Sequence, residues 1–90
     1  MLAINETLTP FDVHVLRTIC QLQRDLHGPV GSKLLAELLN VPDRTMRYYL
    51  RRMEQQYLVS RPRGRNSGYQ AARPRIMPLI RHHEELWQVA

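Results

Sequence analysis

"NVPDRTMRYYLRRMEQQYLVSRPRGRNSGYQ", residues 40–70, holds seven arginines, all four tyrosines of the chain and only two acids, Asp43 and Glu54. Its first half repeats with a helical period. Met46, Leu50, Met53 and Tyr57 recur at spacings of four, three and four, with Tyr49 flanking, and are expected to face a core. A methionine stripe at this spacing is packing material rather than a ligand set. At about 100° per residue, Arg44, Arg47, Tyr48, Arg51 and Gln55 gather on the opposite side, with Thr45 and Arg52 at the edge of that face. Pro42 and Asp43 open the helix, one by its fixed dihedral and the other by placing an acid at the positive end. After Tyr57 the period changes. "YLVSRP" (57–62) and "GYQAA" (68–72) read as two short strands joined by "RGRNSG" (63–68), where Gly64, Asn66 and Gly68 permit tight turning. Arg61, Arg63 and Arg65 alternate toward and through the loop tip, and Pro62 suits an edge hairpin because it has no N–H for a ladder.

Charge is distributed unevenly around this stretch. Residues 1–43 carry three basic residues against five acids, residues 44–81 carry ten arginines against Glu54 alone, and residues 82–90 add Glu84 and Glu85. The net charge of +5 is therefore concentrated on one region, and a polyanion is the natural partner for it. A solvated, arginine-rich surface is the plain alternative, but it leaves the clustering unexplained.

Upstream, "TPFD" (9–12) reads as a helix start, with Thr9 as N-cap, Pro10 at the first helical position and Asp12 in the first turn. Phe11, Val15, Ile19, Leu22 and Leu26 then form an apolar face, and His27-Gly28-Pro29 ends the helix. Val13, Leu16 and Cys20 make a second apolar strip beside the first, more than one small core is expected to cover. Val30 is expected to make a short extended contact. Ser32 is expected to cap "KLLAELLN" (33–40), whose Leu34, Leu35, Leu38 and Leu39 fill one side. Asn40 suits a left-handed turn residue, and Val41 plugs the turn.

The order of these elements, and "GSKLLAELLNVPDRTMRYYLRRMEQQYLVSRPRGRNSGY" (31–69) in particular, resembles the winged helix-turn-helix family of transcription regulators of the MarR-like kind. Ala36 matches the small position where the two helices of the motif approach. Val41 matches the turn hydrophobe, and Met46 and Leu50 match the inward positions of the recognition helix. The resemblance covers residues 9–72 and implies a mainly α fold with a small β-hairpin: a three-helix core, a two-stranded wing at 58–72 and a C-terminal helix. It also implies sequence-specific binding of double-stranded DNA and regulation of transcription. Arg44, Thr45, Arg47, Tyr48, Arg51, Arg52 and Gln55 would then serve as the recognition surface, and Arg61, Arg63 and Arg65 as wing contacts. The alternative is a winged helix that docks an acidic protein partner. Two positions depart from the family pattern: Asn40 and Tyr57 stand where glycine is usual.

Residues 73–90 lie outside the resemblance but within the same single domain of residues 1–90. Pro78 is expected to start a fourth helix, with Leu79, Ile80, His83, Leu86 and Trp87 along one side. Regulators of this kind commonly pair through terminal helices. A homodimer is therefore expected, built from Val13, Leu16, Cys20, Leu79, Ile80, His83, Leu86 and Trp87, with a tail folded back on its own first helix as the competing arrangement.

Other classes fit poorly. No apolar run approaches the roughly 18–20 residues of a membrane span, the opening residues lack a basic leader with a hydrophobic core, and the lone Cys20 cannot form an intrachain disulfide. A cytoplasmic protein is expected. Adjacent His82 and His83 diverge by about 100° on a helix and chelate poorly. No phosphate loop, nucleophile–base pair or paired carboxylates stand out, so no metal, cofactor or enzymatic activity is expected.

Overall fold

The computed structural model describes residues 8–64 and 68–89, those beyond His82 by their backbone alone. Four helices and one small antiparallel sheet follow in the order α1 (Pro10–Leu26), α2 (Ser32–Leu39), α3 (Asp43–Gln55), β1 (Val59–Ser60), β2 (Gln70–Ala71) and α4 (Arg73–Val89).

The start of α1 is set locally. The Thr9 hydroxyl accepts the Asp12 N–H at 3.0 Å, and the Asp12 carboxylate accepts the Thr9 N–H at 3.0 Å, a reciprocal capping box with Pro10 in the first turn. Leu8 and Val13, which flank this cap, are both buried. The three helix ends that follow share a device: His27, Asn40 and Tyr57 all adopt left-handed backbone, with φ of 58°, 57° and 62°. At the end of α2, Val41 N–H donates to the Ala36 carbonyl and Asn40 N–H to that of Glu37. At the end of α3, Leu58 N–H donates to Met53 and Tyr57 N–H to Glu54, the same pair of reversed bonds. The turn between α2 and α3 is thus closed by backbone bonds, with Asn40 in the left-handed position expected of it.

α2 packs on α3, and α1 packs on α2, β2 and α4. The core between them holds Val15, Leu16, Ile19, Leu35, Met46, Leu50, Leu58 and Ile76, all almost fully buried. Phe11 and Tyr49 add an edge-to-face ring contact at 4.9 Å between α1 and α3.

The hairpin pairs Val59 with Ala71 and Ser60 with Gln70, buried residues opposite buried and exposed opposite exposed. Its ladder is far shorter than the two segments 57–62 and 68–72. Val30 makes the short extended contact expected of it, and its partner is Tyr69: its N–H donates to the Tyr69 carbonyl at 2.8 Å and its carbonyl accepts from the Tyr69 N–H at 2.7 Å. Gly68 makes this possible, because a Cβ there would lie 2.7 Å from the backbone N and C of Val30. On the same edge of β2, the Ala71 N–H donates to Gln23 Oε1 at 3.0 Å, so α1 covers what Val30 leaves open.

Several expectations are corrected. Tyr57 does not continue the α3 core stripe, because α3 ends at Gln55 and the backbone turns left-handed at Tyr57 itself, which leaves the residue 77% exposed. Gly31, not Ser32, caps α2, and the Ser32 hydroxyl lies 3.4 Å from Asp43 Oδ1 at the start of α3. Only Leu35 of the α2 leucines is buried, and Leu34 and Leu38 are exposed, because a helix of eight residues turns one narrow face to α3. α4 begins at Arg73 and carries Pro78 inside it. Its first turn is held by the Ala72 carbonyl, which accepts from the N–H groups of Arg75 and Ile76. Pro78 then removes only one bond, six positions into α4.

Candidate nucleic-acid interface

α3 separates its residues cleanly. Met46, Leu50 and Met53 are buried, while Arg44, Arg47, Tyr48, Arg51, Arg52 and Gln55 are exposed and Thr45 is half-buried. The exposed side is supported rather than loose. Arg47 Nε lies 3.2 Å from Asp43 Oδ2, one turn earlier. The Arg52 guanidinium sits 5.8 Å from the centre of the Tyr48 ring, and that ring meets Tyr49 edge-on at 5.8 Å. Tyr48 thus stands at the outer end of a ring series that runs through Tyr49 to Phe11 in α1. Among the described residues, Arg44 and Arg51 have no carboxylate partner. A helix face with several guanidinium forks, a phenol and a carboxamide can donate to base edges and phosphate oxygens alike.

The three hairpin arginines part company. Arg63 is exposed just beyond Pro62, and Arg65 lies outside the described residues. Arg61 is engaged within the fold. Its Nε donates to Glu54 Oε2 at 3.1 Å and its Nη2 lies 3.0 Å from Oε1, while its guanidinium rests 5.6 Å from the centre of the Tyr69 ring. The Glu54 hydrogen bond, and then the Tyr69 charge, raise its already high pKa further. Arg61, expected as a wing contact, is thus held to the end of α3, with both of its bonded nitrogens facing the Glu54 carboxylate.

The expected dimer surface also divides. Val13, Leu16 and Ile80 are buried in the chain's own core, because α4 packs on α1 and covers the second strip. Leu79 and Cys20 are half-buried against the same core. Burial raises the Cys20 thiol pKa from 9.0, partly offset by Arg73 and then Arg24 nearby. The side chains of His83, Leu86 and Trp87 lie outside the described residues.

Reading the sequence missed Glu54 as a partner, although its position as the lone acid among ten arginines was a visible signal. It also missed the Arg75 side chain, whose Nε donates to the Gln56 carbonyl at 3.0 Å and joins α4 to the end of α3. Nothing in the local sequence pointed to that bond.

Among the described residues, no group of three or more His, Cys, Asp or Glu side chains could hold a metal ion, and no helix is long and apolar enough to cross a membrane. No protein-family model matches the chain, and neither a curated protein nor a solved structure matches it.

Proposed function

We propose that this chain is a winged helix-turn-helix protein that binds double-stranded DNA in a sequence-dependent way and regulates transcription. α2 and α3 form the two helices of the motif, α3 enters the major groove, and residues 58–72 form the wing. The observation that carries this reading is the outward face of α3. Four arginines, a tyrosine and a glutamine are exposed on a helix whose opposite side is buried in the core. Arg47 and Arg51 lie mid-face and are the base-reading or inner phosphate contacts, with Arg44, Thr45 and Tyr48 beside them. Arg63 and Arg65 meet the backbone from the wing. The Val30–Tyr69 bridge supports the same reading, since it ties the hairpin to the segment that leads into α2.

The test is affinity for an arbitrary duplex and for a duplex selected from a random pool, each measured across salt concentrations. Each phosphate neutralised contributes about 0.9 to the slope of log affinity against log salt, so a slope of roughly −3 to −5 is expected. The selected site should bind at least about a thousandfold more tightly than the arbitrary one. A slope shallower than about −1, or equal affinity for both duplexes, refutes the proposal. A homodimer remains part of the proposal only through surfaces other than Val13, Leu16 and Ile80, and sedimentation at high micromolar concentration tests it.

A further inference from the structure

Glu54 presents a puzzle once the basic face is described. An acid there repels a polyanion, and it is the only acid in residues 44–81. Its geometry suggests what offsets that cost. Glu54 lies in the last turn of α3, and Arg61 lies directly after β1, on the far side of the left-handed joint at Tyr57. Two parallel interactions, 3.1 and 3.0 Å, join the planar guanidinium to both carboxylate oxygens, and both side chains are about one-third exposed. Such a paired arrangement fixes direction as well as distance. Arg61 in turn covers the ring of Tyr69, and Tyr69 is held to Val30 by two backbone bonds. A continuous line of interactions therefore runs from α3 through Glu54, Arg61 and Tyr69 to the segment that enters α2.

We propose that Glu54 and Arg61 form a positioning pair that sets the angle of the hairpin against α3, so that the helix face and Arg63 engage one duplex together. This rests on the duplex-binding reading. In it, Arg61 acts through the hairpin and does not touch the nucleic acid. Arg63, carried just beyond a two-residue ladder, sits at the end of a lever. A small rotation at residues 56–58 moves Arg63 away from a backbone that α3 still reaches, and the pair removes that rotation.

Glu54→Gln keeps the side-chain volume and discards the charge, which leaves Arg61 without its ion pair. If the pair positions the hairpin, duplex affinity falls about five- to tenfold although a repulsive charge has been removed. The salt slope flattens by about one unit as the wing swings off its phosphate. Residual dipolar couplings of the DNA-free protein then report a changed orientation of residues 59–60 and 70–71 relative to α3. The exchange Glu54→Arg with Arg61→Glu restores affinity to within about threefold, which a direct phosphate contact by Arg61 would not allow. Arg61→Lys, which keeps the charge and removes the fork, gives a weaker change in the same direction and serves if Glu54→Gln does not fold.

Tighter binding with a steeper slope in Glu54→Gln overturns the proposal, because it makes Arg61 a phosphate contact that Glu54 restrains. A lower melting temperature with unchanged affinity, slope and couplings also overturns it, because the pair is then a stabilising contact only. Absence of salt-dependent duplex binding by the wild-type protein refutes the duplex reading and this inference together, whereas wild-type binding with an indifferent Glu54→Gln refutes the inference alone.

Discussion

Gly68→Ala is the substitution whose effect the structure fixes most tightly. A single methyl group added there would lie 2.7 Å from Val30 N, 2.7 Å from Val30 C and 2.8 Å from Pro29 C, all of them backbone atoms. No side chain can rotate out of the way, so the two backbones must separate. The bonds between Val30 and Tyr69, at 2.8 and 2.7 Å, then break, and Val30, fully buried, is displaced. Two backbone hydrogen bonds contribute about 1–3 kcal/mol together. With partial loss of Val30 packing, the expected cost is about 2–4 kcal/mol. For a domain of this size that lowers the melting temperature by roughly 10–20 °C. The assay is urea and thermal unfolding followed by circular dichroism, with Gly28→Ala as the control. Gly28 has no atom within 4 Å of its would-be Cβ, and its backbone is not left-handed. The control should therefore be neutral, or more stable by up to about 1 kcal/mol. A Gly68→Ala protein within about 0.5 kcal/mol of wild type would refute the close approach of these segments.

Arg47→Ala with Arg51→Ala should leave the fold intact, since both side chains are exposed. Affinity for a selected duplex should nevertheless fall by about 1–3 kcal/mol for each arginine that forks onto a base. Unchanged affinity in a titration would remove these residues from the proposed site. Thr9→Ala, which breaks the capping box of α1, should cost about 1 kcal/mol in chemical denaturation. Cys20 should react slowly with iodoacetamide at pH 8 compared with a free thiol, because burial holds it protonated. Its raised pKa means that the folded chain keeps the proton to a higher pH than the unfolded chain. The associated stability is present below pH 9.0 and is lost as pH rises through the folded value. The difference in stability between wild type and Cys20→Ala should shrink or reverse above that point, and a constant difference from pH 7 to 10.5 would contradict the shift.

Signals that act within one turn of chain were legible. Thr9, Pro10 and Asp12 announced α1, and Met46, Leu50 and Met53 announced the inner side of α3, because cap chemistry and helical period are properties of neighbouring residues. Asn40 disclosed its left-handed turn for the same reason. Tyr57 departs from the stripe because α3 ends at Gln55 and left-handed backbone at Tyr57 overrules the helical period. The strip Val13, Leu16 and Cys20 was correctly seen as apolar, but a sequence does not state whether its own tail or another chain provides the cover. Ile76 and Ile80 of α4 supply that answer. Of the candidate site, the exposed face of α3 followed from angular position alone. The engagement of Arg61 did not, since a charge count treats every arginine as outward until a partner such as Glu54 is brought within 3.1 Å.

The cover along β2 has a consequence for crowded conditions. Exposed strand edges recruit other strands, and a hairpin with buried Val59, Tyr69 and Ala71 is a sticky template if its donors are free. Here the N–H groups of Tyr69 and Ala71 are taken by the Val30 carbonyl and by Gln23 Oε1. Gln23, on α1, thus occupies part of the outer edge of β2 and leaves that edge fewer free donors for strand addition between molecules.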